Sequence, residues 1–318
     1  MQKKKILLIG DACLDIFVEG RVSRISPEAP VPVFSYLYEK SYPGCAANVA
    51  LSLTRLGLEV DLLCFIADDE DGEILLNKLN AEGVNTEYVI RARNNSKIFT
   101  AVKKRIVSES HHICRIDKEP SHKEIKSISS GFFEKNLNQA ISKNEYTFTV
   151  ISDYAKGIIS KESYSLINKF SKSPIIVDPK PINKIDYKNA FILKPNKKEI
   201  LDLANVEIDP SNEDISELKE PIFEFIYKNN IENLIVTDGI NGSYLINIKE
   251  IQHFPSEKVE VYDVSGAGDS FLAALVFCCS ENKNLIESVK FANMAASTTI
   301  IHSGTTPLLK KDILKINE

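Results

Sequence analysis

Short runs of consecutive apolar, often β-branched residues alternate along the chain with longer segments whose apolar positions recur every three or four residues. The runs predict strands at 5–10 (KILLIG), 61–67 (DLLCFIA), 146–152 (YTFTVIS), 174–178 (PIIVD), 190–194 (AFILK), 233–238 (NLIVTD) and 243–248 (SYLINI). A run that is apolar at successive positions suits a strand covered on both faces. The longer segments predict helices over 45–56, 71–82, 122–143, 160–172, 197–204, 214–229, 269–280 and 285–301. Strand and helix in repeated alternation imply an α/β fold, a doubly wound and mostly parallel sheet with helices on both faces. Residues 16–40 and 97–117 break the rhythm, with charges at every second or third position (KIFTAVKKRIV, HHICRID). They predict antiparallel strands exposed on one face, gathered as a small β lid over the main sheet. No repeat, low-complexity tract or linker divides the chain, so 1–318 reads as a single domain.

Composition narrows the partners more than the fold. With 318 residues, 43% hydrophobic and 26% charged, the chain has ample material for a core. A net charge of −5 argues against nucleic acid as the main partner. Small anions remain open, because they need only local donors. The six cysteines, at 13, 45, 64, 114, 278 and 279, form no C-x-x-C pair, which argues against zinc and for a reducing compartment. The start, MQKKKILLIGD, is too short in apolar residues for a leader. The apolar run Phe271 to Cys279 falls well short of the roughly 20 residues of a membrane span. A cytoplasmic enzyme with neither nucleic-acid nor membrane partners is the expectation.

Four stretches carry candidate chemistry. In DVSGAGDSF (263–271), Gly266 and Gly268 free the backbone just where an apolar helix starts. Helix-start amides could cradle an anion, and Asp269 could act as a base, or simply cap the helix; the local pattern admits both. In SYPGCAANVALSLTRLG (41–57), Gly44 opens a helix of small residues, and Asn48 would be costly to bury without a partner. GDACLD (10–15) puts Asp11 and Asp15 at the ligand-binding end of the first strand, as sugar-hydroxyl acceptors or as turn residues. FILKPNKKEI, from Phe191, runs from strand to helix with Asn196 and Glu199 three apart, a pair suited either to a hydrated Mg²⁺ or to a capping box. There is no G-x-x-x-x-G-K-[ST] P-loop and no protein-kinase H-R-D or D-F-G. Gly266-x-Gly268-x-x-Phe271 lacks the third glycine of a dinucleotide fingerprint.

The order of these motifs decides more than any one of them. G-D-x-x-x-D, then Gly-Cys-Ala-Ala-Asn, N-x-x-E, T-x-G at Thr237–Gly239 and D-V-S-G-A-G-D resembles the ribokinase-like (PfkB-type) carbohydrate kinases over residues 5 to 307. Within that family, SRISPEAPVPVF (23–34), ISDYAKGII (151–159) and VDPK (177–180) look like the D-glycero-D-manno-heptose 7-phosphate kinases of ADP-heptose and lipopolysaccharide core synthesis. The resemblance implies ATP, Mg²⁺ and a monovalent cation such as K⁺ as cofactors, and a sugar phosphate as substrate. It implies Asp269 as the base, with Gly266, Ala267 and Gly268 offering backbone donors to the transferring phosphoryl group. Asp15, Gly44 and Asn48 would hold sugar hydroxyls, and Asp153 would belong to the same side. Lys194, Thr237, Gly239 and Asn293 would meet the nucleotide, Asn196 and Glu199 the Mg²⁺ through water, and Asp263 and Ser265 the monovalent cation. For the substrate's own phosphate, Lys156 is favoured and Arg24 comes second, with Lys103, Lys104, Arg105 and Arg115 also candidates. Cys45 departs from the family, which has a second glycine there; weaker or altered sugar contact is expected. His111 and His112, in alternating strand context, are expected to be structural. No nucleotidyltransferase domain is expected in the chain, so a separate enzyme would use the product, and exposed lid strands could pair two copies as a homodimer. The rival readings are a kinase for another sugar and a silent sugar-binding regulator.

Overall fold

The structure is a computed structural model that describes residues 4–93, 97–109, 111–206, 215–257, 259, 264–301 and 307–308. In chain order the strands and helices are β1 (Lys5–Gly10), β2 (Ala12–Ile25), β3 (Pro32–Cys45), α1 (Ala46–Arg55), β4 (Glu59–Leu63), β5 (Phe65–Asp68), α2 (Glu70–Ala81), β6 (Ile90–Arg93), β7 (Val102–Ser108), β8 (His111–Lys118), α3 (His122–Lys143), β9 (Phe148–Ser152) and α4 (Lys161–Phe170). They continue as β10 (Ile175–Asp178), β11 (Ile192–Leu193), α5 (Lys197–Leu203), α6 (Lys219–Asn229), β12 (Asn233–Thr237), β13 (Ser243–Ile246), β14 (Ile251–Phe254), α7 (Ala267–Ser280) and α8 (Leu285–Thr299).

Eight strands form the main sheet in the order β14-β13-β12-β11-β10-β9-β1-β4. The pairings from β4 to β12 are parallel, and β13 and β14 add antiparallel edge strands. Side chains alternate across a strand, and each face has its own core. Ile6, Leu8, Val150, Ile176 and Ile235 pack toward α1, α2, α7 and α8. Leu7, Ile9, Ile151, Val177 and Val236 pack toward α3, α4, α5 and α6. The central strands are therefore mostly apolar, with a few buried polar residues such as Asp61 and Thr149, and each such leucine or isoleucine taken out of water contributes about 1.5–3 kcal/mol. The fold is the expected doubly wound one.

The second sheet, β3-β2-β7-β8, is assembled from the two charged, alternating regions. Its β2·β3 and β7·β8 pairs are antiparallel, but β2 and β7 run parallel, which alters the expected all-antiparallel lid. The two hairpins are separated by residues 46–101, so β7 returns by a crossover and enters in the direction of β2. Along β2, burial falls from the base to an exposed tip, so the outer lid projects from the body. The predicted strand 61–67 is also two strands. β4 joins the main sheet, and β5 leaves it to pair with β6.

Candidate active site

Parallel strands place their following loops along one edge, and that edge collects the predicted chemistry. β1 delivers Asp11, β9 Asp153 and Tyr154, β10 its terminal Asp178, β11 Lys194, and β12 its terminal Thr237. Opposite them, α7 begins after Gly266, whose φ of 83° demands a glycine-like residue. Among the described residues, no side chain caps this helix. Asp269 is its third residue, and its carboxylate turns away to be buried against α1 and the loop after β9. Asn48 Nδ2 donates to Oδ2 at 2.9 Å, and the Tyr154 hydroxyl donates to Oδ1. Burial pushes the Asp269 carboxyl above its ordinary value; these two donors and Lys194 pull it down, and the charge of Asp15 pushes it up. The carboxylate is thus buried and held by two side-chain donors, and it is not the cap of the helix.

The amides of the first turn of α7 have no intrahelical acceptors. Ala267 N–H turns back to Val264 O at 3.3 Å, and the space where a Cβ on Gly268 would stand is open. That space belongs to a cavity of about 390 Å³, which Thr237, Gly239, Gly268 and Asn293 line together with apolar Ile240 and Ile300. A cleft with apolar walls, a few polar groups and a helix N-terminus at one end suits a nucleoside joined to phosphates. Asn293 spends its Nδ2 on Phe254 O at 3.2 Å.

Asn48, the donor to Asp269, stands near a second group of buried polar residues. Asp15 is buried and receives Arg105 Nη1 at 3.1 Å. A Cβ on Gly44 would lie 2.7 Å from both Asp15 Oδ2 and Cys13 Sγ, so only glycine lets β3 pass. The Oδ1 of fully buried Asn48 has no protein partner among the described residues, and a ligand hydroxyl could donate to it. Cys45 holds a φ of 57°, which accounts for the glycine of the family motif. Its sulfur lies 3.2 Å from that of Cys13 and accepts from Lys103 Nζ at 3.7 Å.

A charged network connects the two sides. Lys194 is almost wholly buried and pairs with Asp178 at 3.0 Å. Burial pushes Asp178 up to about 6; Lys194 opposes this, and Glu199 and Asp269 are close enough to add to it. Asn196 and Glu199 form a reciprocal capping box, Asn196 Oδ1 accepting from Glu199 N at 2.8 Å and Glu199 Oε2 from Asn196 N at 2.9 Å. Lys180 donates to the other Glu199 oxygen at 2.7 Å. An isolated bridge to Thr237 sets Asn196 beside the cavity that Thr237 lines.

The description "pfkB family carbohydrate kinase" matches residues 3–312. The chain belongs to this family. It is a sugar kinase, of a class that uses ATP and a divalent metal. The kinase is 34% identical over 312 residues to the bifunctional protein HldE of Sulfurimonas denitrificans, a match covering 97% of the chain and 63% of that protein. With the HldE of Campylobacter curvus it shares 34% over 309 residues, 96% of the chain and 63% of the relative. It thus spans 63% of the length of these curated relatives. Among solved structures, ribokinase from Thermotoga maritima superposes with a TM-score of 0.75 at 21% identity, covering 98% of each chain. Phosphofructokinase-2 from Escherichia coli in complex with potassium gives 0.77 at 20%, covering 99% of the kinase and 98% of that chain. At such identities the likeness is one of fold.

Not every predicted residue of the kinase meets at Asp269. Arg24 lies nine residues beyond Asp15 on extended β2, about 30 Å along the strand, exposed near the lid tip. It cannot reach this site from its own chain. Lys156 pairs with Glu119 and lends its N–H to Asp11. Asp153 accepts from Asn183 and Tyr187, whose hydroxyl lies at 2.7 Å, and so anchors its loop. Its carboxyl is pushed up to about 7 by burial and by neighbouring Asp11. Ser265 precedes the α7 turn, and Asp263 lies outside the described residues. Two residues passed over are Tyr154 and Asp178, whereas Lys103 and Arg105, both among the candidate cations, stand beside Cys45 and Asp15. Tyr154 and Asp178 stood inside ISDYAKGII and VDPK, where charge drew attention to their neighbours or the motif was not resolved into residues.

Proposed function

We propose that the kinase phosphorylates the anomeric hydroxyl of D-glycero-D-manno-heptose 7-phosphate with ATP, giving the 1,7-bisphosphate used in ADP-heptose and lipopolysaccharide core synthesis. The observation that carries a phosphotransfer reading is the placement of buried Asp269, hydrogen-bonded to Asn48 and Tyr154, next to the Gly268 wall of the 390 Å³ cavity and within reach of the charge of Asp15. The heptose reading draws on SRISPEAPVPVF, ISDYAKGII and VDPK, and on likeness to HldE over 97% of the chain. Asp15 and Asn48 hold sugar hydroxyls, with Gly44 allowing the approach. Asp269 takes the proton of the attacking hydroxyl. The backbone from Gly266 to Gly268 receives the charge of the transferring group, and Lys194 approaches it from the β11 side. Asn196 and Glu199 fit a hydrated Mg²⁺, since each oxygen engaged in the capping box keeps a lone pair for a metal-bound water. Bound there, the ion supplies charge neutralisation at the phosphates. Asp263 and Ser265 are our choice for a K⁺ site. Lys103 brings positive charge to the sugar pocket and replaces Lys156 and Arg24 as first candidate for the substrate's phosphate. A separate nucleotidyltransferase would consume the product, in the cytoplasm.

The test is ADP release with the heptose phosphate compared with ribose, fructose 6-phosphate and no sugar. Selectivity for the heptose phosphate is expected; equal turnover of the others removes the specific substrate, and none with any sugar favours a silent binder. Asp269→Asn should lower kcat by about 10²–10⁴ while ATP affinity holds. An active variant removes the mechanism.

A further inference from the structure

Tyr154 is fixed from four directions. Its ring packs against Cys13, Cys45 and Ala101. Lys103 Nζ stands over the ring face, 5.5 Å from its centroid. Its backbone N–H donates to Asp11 Oδ2 at 3.0 Å, and its hydroxyl reaches Asp269 Oδ1. The loop that carries it is clamped as well. Asp11 also accepts from the N–H groups of Lys156 and Ile158, and Asp153 ties the loop's start to Asn183 and Tyr187. Ala155 at φ 55° and Gly157 at φ 113° fold it tightly between these anchors. Two buried carboxylates thus hold a loop whose one side chain touching Asp269 is a phenol.

Building on the assignment of Asp269 as base, we propose that Tyr154 is a positioning residue: its hydroxyl holds that carboxylate in the orientation in which it accepts a proton from the sugar. A carboxylate with one donor, Asn48 on Oδ2, can still rotate about its last bond. A second donor on Oδ1 locks the plane and leaves outward lone pairs for the substrate hydroxyl. Burial and the nearby Asp269 charge push the phenol far above its ordinary value, so it remains a donor and does not compete as a base. The charged groups around Asp269 are Asp15 from β2, Lys194 after β11 and Asp178 at the end of β10. Of these, Asp15 raises the base and Lys194 lowers it.

The experiment is the pH profile of Tyr154→Phe, with ATP–Mg²⁺ and the heptose phosphate, or whichever acceptor the panel above selects. The ring and its packing remain, and an unchanged thermal midpoint and KM for ATP verify the fold. A hydrogen bond to a charged group is lost, so the acid limb of kcat/KM should move up by about one pH unit, because the base now protonates at higher pH. We expect kcat at the optimum to fall about 10-fold. An acid limb left at the wild-type position overturns the proposal, whatever becomes of kcat, since a merely structural tyrosine would not move it. Full activity of Asp269→Asn overturns the base assignment instead, so the two failures are told apart.

Discussion

A methyl group on residue 44 would press within 2.7 Å of Asp15 Oδ2 and of the Cys13 sulfur. Neither atom can retreat far, because Asp15 is held by Arg105 and Cys13 lies against Cys45. Gly44→Ala should therefore raise the KM for sugar about tenfold or more and leave that for ATP within twofold; steady-state kinetics with each substrate varied checks this. At this scale the sequence was uneven in what it showed. Asp269, Asn48 and Gly44 could be read because an acid beside two glycines, a polar residue among alanines and a lone glycine each violate a local preference. Tyr154 violates none: a tyrosine after a strand is ordinary, and only the approach of α7, 115 residues away, turns its hydroxyl into a partner for Asp269. Lys156 shows the limit of charge as a signal: charge marks a residue in the sequence, but not its partner, which here is the half-exposed Glu119.

Among the elements, α7 carries the greatest burden, holding Asp269 in its first turn and running through the core as an almost wholly buried helix. It packs against α1, which holds Asn48, and against α8, which holds Asn293, so the site's geometry depends on how that interface is filled. Leu275→Ala, at a fully buried position, should cost about 2–5 kcal/mol in urea unfolding. The strands and helices of the main sheet were legible because burial on both faces leaves few polar positions, such as Asp61 and Thr149, to interrupt the apolar runs. β6 and β14 were not, since four-residue strands with polar members lack a run to announce them. The parallel pairing of β2 with β7 was also hidden. Pairing direction is set by the route of the intervening chain, not by the composition of either strand.

Across the whole molecule, the lid is the part left unfinished. Ile25, Tyr36, Leu37, Tyr38, Ile113 and Ile116 are all exposed large side chains on its strands. A sheet this apolar and this uncovered suits pairing with a second copy of the chain. The kinase should therefore run as a dimer in light scattering at micromolar concentration, and Tyr36→Lys with Leu37→Lys should shift it to monomer; a wild-type monomer would end this idea. The lid's root has a consequence of its own. β2 begins one residue after β1 ends, β3 runs straight into α1, and the Ala46 N–H is fastened to Asp11 O at 2.9 Å. There is no linker to act as a pivot. If the lid moves over a bound sugar it must do so as a leaf spring does, by flexure spread along β2 and β3, with the irregularities at Glu19/Gly20 and Val22/Arg24 as its compliant points. Its restoring force then acts through the same root that carries Asp15 and Gly44, so opening after turnover needs no separate device.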